Sequence, residues 1–211
     1  NEMPVIQIAI DGIEADDIIG HISKHHHYSG WQKIIVSSDK DFYQLCDNET
    51  VVYRPIRDQI ETSKTIEAEF GIHPNNFALA RAMVGDKSDN LEGIKQVGMK
   101  TVAKHFSFLS ESKQYEVDDI INHCGAVKKK TLAHKNIIDG SSLIEENYEL
   151  MQLYNPEISY TNKKSISYHI EESELDFNKL KVVKMFSEDG LMSINMDAMF
   201  TVFKNIQKES R

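Results

Sequence analysis

An α/β fold, with a mostly parallel sheet flanked by helices, is predicted by three features of the sequence. Two short apolar runs rich in β-branched residues, 5–10 (VIQIAI) and 33–38 (KIIVSS), have the length and composition of buried strands. Residues 13–22, between them, place apolar side chains at 15, 18, 19 and 22, the spacing of an amphipathic helix. Strand, helix and strand in that order form the repeating unit of a parallel sheet with helices on its faces.

The first run is broken only by Gln7 and ends at Asp11-Gly12. The helix after it carries Glu14, Asp16 and Asp17 in or beside its first turn, where acidic side chains complement the helix dipole. Dipole complementation would account for one such pair; three carboxylates in four residues, directly after a buried strand, ask for more. His25-His26-His27 reads as a polar helix end and loop, because consecutive histidines point in different directions and a chelating pair needs i, i+3 or i, i+4 spacing. Tyr28-Ser29-Gly30 closes the helix, and Trp31 is expected to pack beneath the next strand. That strand, 33–38, delivers Asp39 and Asp41 at its carboxyl end, the edge at which α/β sheets gather ligands.

A helix is expected over 42–45, then a hairpin of 51–54 with 59–61 across Pro55 to Asp58. A helix over 65–70 stops at Gly71, and Pro74-Asn75-Asn76 opens another with Phe77, Leu79, Ala80, Met83 and Val84 as its core stripe. It runs into the stretch around which the chain is organised, VGDKSDN at 84–90 followed by LEGIKQVGMKTVAKHF at 91–106. Asp86 and Asp89 stand at i, i+3. Gly98 stands at the mouth of a helix with Lys100, Thr101 and Lys104, where free backbone N–H groups suit an anion. Further helices are expected over 115–123, 126–138 and 142–153, a short strand over 164–170, and closing helices over 175–186 and 196–206. The eight methionines fit adaptable core filler.

Composition narrows the class of function. A hydrophobic share of 40% and a charged share of 27% are those of a globular chain. No apolar run approaches the roughly 20 residues that cross a bilayer, and NEMPVIQIAI lacks the basic start and cleavage site of a signal peptide. Cys46 and Cys124 have no metal-type spacing and fit a reducing compartment, so an intracellular protein with no membrane partner is expected. The net charge of −9 argues at first against nucleic acid. The distribution argues the other way, with Lys95, Lys100 and Lys104 in one basic cluster and Lys128, Lys129, Lys130, His134 and Lys135 in a second. Taken alone, the lysine run at 128–130 reads as a solvated face.

Glu14, Asp16, Asp17, Asp39, Asp41, Asp86 and Asp89 come from three separated segments, all expected at one edge of one sheet. Packed together without cations they would repel and stay partly protonated. Hard divalent ions resolve that conflict: Mg²⁺ prefers oxygen ligands, and two ions about 3.5–4 Å apart serve phosphodiester hydrolysis.

EADD at 14–17, SSDKDFYQL at 37–45 and VGDKSDNLEGIKQVGMKTVAKHF at 84–106 resemble, in order and spacing, the motifs of the 5′-nuclease family. That family contains flap endonucleases, the 5′ exonuclease domains of bacterial DNA polymerases, and phage 5′ exonucleases including the phage ribonuclease H type. The resemblance covers roughly residues 5–110. Each motif alone is weak, and the ordered set is specific. It implies a PIN-like α/β core with a helix-three-turn-helix that grips duplex DNA, and a nuclease dependent on Mg²⁺ or Mn²⁺. Carried over by position, Glu14 and Asp16 join Asp39 at the tighter ion with Asp17 nearby, while Asp41, Asp86 and Asp89 hold the second ion. Lys95, Gly98, Lys100, Thr101 and Lys104 fall in the nucleic-acid-binding turn and helix. A K⁺ ion held by backbone oxygens of the preceding loop is a further implication, although LEGIKQVGMK carries less glycine and proline than the usual loop.

The family's first strand, with its aspartate, and its basic helical arch have no counterpart before Asn1, so the chain reads as a family member shortened at its front. The expected division is a nuclease core at 1–90, the helix-three-turn-helix subdomain at 91–140 and a C-terminal helical segment at 141–211 packing back on the core. The implied function is structure-specific 5′–3′ exonuclease or flap endonuclease action on DNA, and on RNA in RNA–DNA hybrids, in replication or repair by a monomer. Two alternatives stay open: a duplex-DNA-binding module without catalysis, and a PIN-like ribonuclease for single-stranded RNA, which has no need of the 91–106 element.

Overall fold

A computed structural model of the chain describes residues 2–173, 175–191 and 193–209. It forms two compact units, Ala15–Glu157 and a second one made of Asn1–Glu14 with Ile158–Arg211.

The larger unit begins with α1 (Ala15–Ser23), which buries Ile18 and Gly20. A three-residue 3-10 turn at His26–Tyr28 follows, in which His25 Nδ1 accepts from the His27 N–H. Strand β1 (Lys33–Val36) pairs in parallel with β2 (Thr50–Arg54), and β2 pairs antiparallel with β3 (Gln59–Glu61), giving the order β1-β2-β3. The hairpin has the expected register, Arg54 opposite Gln59. Helix α2 (Ser63–Phe70) starts at a reciprocal cap between Thr62 and Thr65 and stops at Gly71, whose φ of 68° suits the residue without a Cβ. Helix α3 (Phe77–Val84) buries Phe77, Ala78, Leu79, Ala80, Ala82 and Met83. After it come α4 (Met99–His105), α5 (Val117–Ala126), α6 (Leu132–Asp139) and α7 (Ser141–Met151). The smaller unit contains α8 (Tyr160–Glu172), α9 (Lys179–Glu188) and α10 (Met196–Glu209), with Val182, Phe186 and Phe200 as its core.

The α/β class holds, with four corrections. Residues 5–10 form no strand, and Val5 is exposed. A strand needs a neighbour's ladder to satisfy its backbone, and no strand among the described residues pairs with this run. The sheet is accordingly mixed, with its parallel pair made by β1 and β2. Trp31 is 61% exposed instead of packed beneath β1. Residues 164–170 lie within α8: Ile166 and Ile170 meet at i, i+4 and are buried, while Tyr168 is 66% exposed, so helical spacing wins over the apparent alternation. The helix expected over 126–138 begins at Leu132, where Thr131 and His134 cap it reciprocally.

Two cores fill the larger unit. One, between α3 and α7 and their neighbours, contains Leu79, Met83, Val102, Phe106, Ile120, Ile137 and Ile144. The other joins the sheet to its flanking turn through Ile35, Tyr43, Leu45, Val52, Ile66 and Phe77. Cys46 lies in this second core, where burial pushes its thiol up to about 12, and Cys124 is buried in the first.

The turn into β2 depends on Asp47. Its carboxylate accepts from the Glu49 and Thr50 N–H groups, each at 2.8 Å, and pairs with Lys24 at 2.8 Å. Burial works to raise its pKa, but the Lys24 and backbone hydrogen bonds outweigh it and hold the carboxyl below its ordinary value. A folded-state pKa below the unfolded value stabilises above the unfolded value, about 3.9, and this is lost as pH falls through the folded value. Asp47→Asn is therefore expected to lower the urea midpoint at pH 7 and to match the parent near pH 2. An equal deficit at both pH values would contradict this role.

Candidate metal centre

The carboxyl end of β1 leads into a turn built from its own side chains. Ser37 Oγ accepts from the Asp39 N–H at 3.1 Å, and Asp39 Oδ1 accepts from the Asp41 N–H at 2.9 Å. Asp41 thus opens a 3-10 helix, Asp41–Leu45, whose Phe42, Tyr43, Gln44 and Leu45 are buried. Gln44 anchors that turn to the end of α7. Its amide donates to the Asp41 and Met151 carbonyls at 2.8 and 2.9 Å, and its oxygen accepts from the Leu153 N–H at 2.7 Å. From β2, Arg54 Nη2 donates to the Ser38 carbonyl at 3.3 Å.

Helix α3 brings the second set of carboxylates. Gly85, with φ of 77°, ends it, and Asp86 and Leu91 then exchange both backbone hydrogen bonds at 2.9 and 2.7 Å. The hairpin-like loop between them carries Ser88 and Asp89. Ser88 donates to Asp86 Oδ1 through its N–H at 2.8 Å and also through its hydroxyl. Buried Asn147 on α7 secures the base of the loop by donating to the Ala82 and Glu92 carbonyls at 3.0 and 2.8 Å.

Asp41, Asp86 and Asp89 each place a carboxylate oxygen within 4.8 Å of the other two. An open cleft of about 420 Å³ beside them is lined by Ser38, Asp39, Lys40, Arg81, Asp86 and Ser88. Arg81 reaches into the cluster from α3, with Nε 3.1 Å from Asp41 Oδ1 and Nη2 paired with Asp86 Oδ2. Burial raises the Asp41 pKa against the pull of Arg81, and neighbouring Asp39 adds to the rise. For Asp86, burial is outweighed by the Ser88 hydrogen bonds and the Arg81 charge, which hold the carboxyl below its usual range. An all-oxygen donor set at this separation, open on one side to water, fits a hard divalent ion that retains part of its hydration. No sulfur or imidazole belongs to this cluster.

Other expected site residues lie elsewhere. Asp16 and Asp17 occupy the first turn of α1, with the Asp17 N–H donating to Asp16 Oδ1 at 2.9 Å. Glu14 directly precedes that helix in sequence and falls in the other unit. Asp39 lines the cleft, outside the three-carboxylate cluster. Lys95, Lys100 and Lys104 are exposed around α4, and Gly98 caps that helix, its carbonyl accepting from the Thr101 and Val102 N–H groups at 2.8 and 3.0 Å. Reading the sequence alone missed Arg81, Gln44 and Asn147. The one available signal was a single basic residue in the apolar helix FALARAMV, five residues before Asp86.

Comparison with known proteins points the same way. Residues 1–71 match the family described as 5′-3′ exonuclease, N-terminal resolvase-like domain. A 5′-3′ exonuclease of Buchnera aphidicola subsp. Schizaphis graminum is 39% identical over 100 residues, 47% of this chain and 35% of that protein. A 5′-3′ exonuclease of Aquifex aeolicus is 28% identical over 180 residues, 82% of this chain and 55% of that protein. The chain thus spans about a third to a half of these relatives. Among solved structures, a mutant of the phage T5 5′-exonuclease shares the fold with a TM-score of 0.59 at 17% identity, over 95% of this chain and 69% of that one. The T5 5′-exonuclease with bound zinc gives 0.59 at 18% identity, over 97% of this chain and 62% of that one. The chain is thus similar to 5′-3′ exonucleases over part of its length, in its first 71 residues by the matched family and in its fold by the T5 structures.

Proposed function

We propose that this chain carries part of a divalent-metal-dependent, structure-specific 5′–3′ exonuclease or flap endonuclease that hydrolyses phosphodiesters in DNA, and in RNA of RNA–DNA hybrids, during replication or repair. The observation that carries the reading is the meeting of Asp41, Asp86 and Asp89 within 4.8 Å beside an open cleft. Asp41, Asp86 and Asp89 would hold one ion, and Glu14, Asp16, Asp17 and Asp39 are assigned to the other. Bound there, Mg²⁺ or Mn²⁺ supplies Lewis-acid charge for in-line hydrolysis that leaves a 5′-phosphate. The chain's own part is positional. The Gln44 and Asn147 clamps fix the two carboxylate-bearing segments, and the cleft admits a phosphodiester beside them.

The duplex is assigned to the residue 91–140 subdomain, with the nuclease core at 1–90 and the returning helices at 141–211. Lys95, Gly98, Lys100, Thr101 and Lys104 take phosphates, and a K⁺ ion belongs to the loop before α4. The protein acts inside the cell as a monomer. No described helix is long and apolar enough to cross a membrane. The T5 flap endonuclease whose structure was determined with DNA and metal ions shares this fold and supports the choice of partner.

A second reading, a duplex-binding module without turnover, is favoured by one observation: Glu14, Asp16, Asp17 and Asp39 lie outside the gathered cluster. The deciding experiment supplies a 5′-labelled flap duplex with Mg²⁺ or Mn²⁺ and follows cleavage and binding together. Ion-dependent cleavage supports the nuclease; salt-sensitive binding with no cleavage supports the module. Lys100→Ala is expected to weaken binding to all duplex sequences alike and to reduce the slope of log affinity against log salt by about one. An unchanged slope would remove Lys100 from the phosphate contacts.

A further inference from the structure

Arg81 is half-buried at the end of a helix that is otherwise apolar, and its guanidinium spans two of the three clustered carboxylates. The geometry is that of a cation already seated where a divalent ion would bind: Nε on Asp41, Nη2 on Asp86, with Asp89 within 4.8 Å of both carboxylates. Nearby Lys40 is turned elsewhere, its Nζ lying 5.5 Å over the Phe70 ring. Three carboxylates at this spacing repel unless a positive charge stands among them, and Arg81 supplies one from within the fold.

We propose that Arg81 is a built-in counter-cation that competes with the divalent ion for Asp41 and Asp86. It holds the cluster together before the ion arrives and sets the affinity with which the ion is taken up. The inference rests on the metal-dependent reading above and adds an opposing element to it. A ligand-supporting arginine would strengthen ion binding. One that shares the ion's ligands must weaken it, since each carboxylate oxygen turned toward the guanidinium is withdrawn from the ion. Linkage makes the competition reciprocal: the ion loosens the arginine by the same factor by which the arginine weakens the ion. Arg81 is thus a positioning residue of the centre, one that keeps the two segments at their spacing while the ion is away.

The test is calorimetric titration of the chain with Mn²⁺, alongside its melting temperature with and without Mn²⁺, for the parent, Arg81→Met and Arg81→Lys. Arg81→Met keeps much of the aliphatic stem and removes the charge. It is expected to bind Mn²⁺ about 5- to 150-fold more tightly than the parent, the usual range of such couplings, and to melt lower than the parent without ion. The gap should narrow when Mn²⁺ is added. Arg81→Lys retains the charge without the fork and should fall between the two, which also keeps the test open if the methionine variant fails to fold. A purely structural role for Arg81 predicts equal or weaker Mn²⁺ binding in both variants, and that result would overturn the proposal while leaving the metal reading intact. Failure of the parent and both variants to bind Mn²⁺ would overturn the metal reading and this inference with it.

Discussion

On the proposed metal-dependent reading, alanine at Asp86 is expected to lower phosphodiester cleavage by more than about 100-fold, because loss of a direct ion ligand should exceed the 10- to 100-fold cost of losing an outer partner. Asp86 is where the site's constraints meet: it pairs with Arg81, accepts two hydrogen bonds from Ser88, and exchanges backbone bonds with Leu91. Asp86→Asn separates charge from scaffold. One carboxamide oxygen remains to accept from Ser88, and the negative charge that an ion requires is gone. Both variants should keep duplex affinity, since the lysines proposed to take phosphates lie around α4, on a different segment. Flap cleavage within about tenfold of the parent, measured alongside circular dichroism to establish folding, would exclude Asp86 from the ion's ligands.

Alanine at Gly93 is expected to cost at least about 2–3 kcal/mol, the upper part of the range for overpacking, or to prevent folding altogether. A Cβ built there would stand 1.8 Å from the Val84 carbonyl oxygen, 2.2 Å from its carbon and 2.8 Å from the Gly85 nitrogen. All three are backbone atoms of the segment that sets Asp86, so none can rotate away. Gly85 shares the constraint from the other side, where a Cβ would lie 2.4 Å from the Gly93 nitrogen and where φ is already +77°. Gly98→Ala is the control. Nothing lies within 4 Å of its would-be Cβ, and its φ of −125° is open to any residue, so it should cost less than about 1 kcal/mol. The urea midpoint reads both changes. Equal midpoints for the two variants would mean that the close approach of Gly93 to Val84 is not what holds the Asp86 loop.

Local signals made much of the fold legible. The Gly71 stop ends α2, Pro74 precedes α3, and the β2–β3 hairpin turns across Pro55 to Asp58. What stayed illegible depends on partners distant in sequence. Residues 5–10 look like a strand by composition, yet strand formation is decided by a neighbour, and composition cannot supply one. Residues 164–170 alternate in polarity, yet Ile166 and Ile170, one helical turn apart, are the residues that bury, and this spacing decides in favour of helix.

The candidate site divides the same way. The carboxylates themselves are visible in the chain, since acidic residues directly after apolar runs stand out against their surroundings. Which of them share a cluster depends on Gln44 reaching Met151 and Leu153, and on Asn147 reaching Ala82 and Glu92. A glutamine or asparagine that ties together backbone carbonyls from distant segments leaves no local pattern. Arg81 is hidden for another reason: a single arginine on an apolar helix reads as a solvent-facing residue until the acidic partner from a different segment is in place.

The two buried thiols have a practical consequence for spectroscopy. Cys46, held near 12, and Cys124, enclosed by the helical core, offer almost no thiolate to a maleimide or a nitroxide reagent at neutral pH. A cysteine introduced at an exposed position such as Lys104 or Lys87 would therefore be labelled selectively, without first removing the native pair. Distances between two such probes could then report whether the Asp86 loop keeps its place relative to α4 as ion and duplex are added.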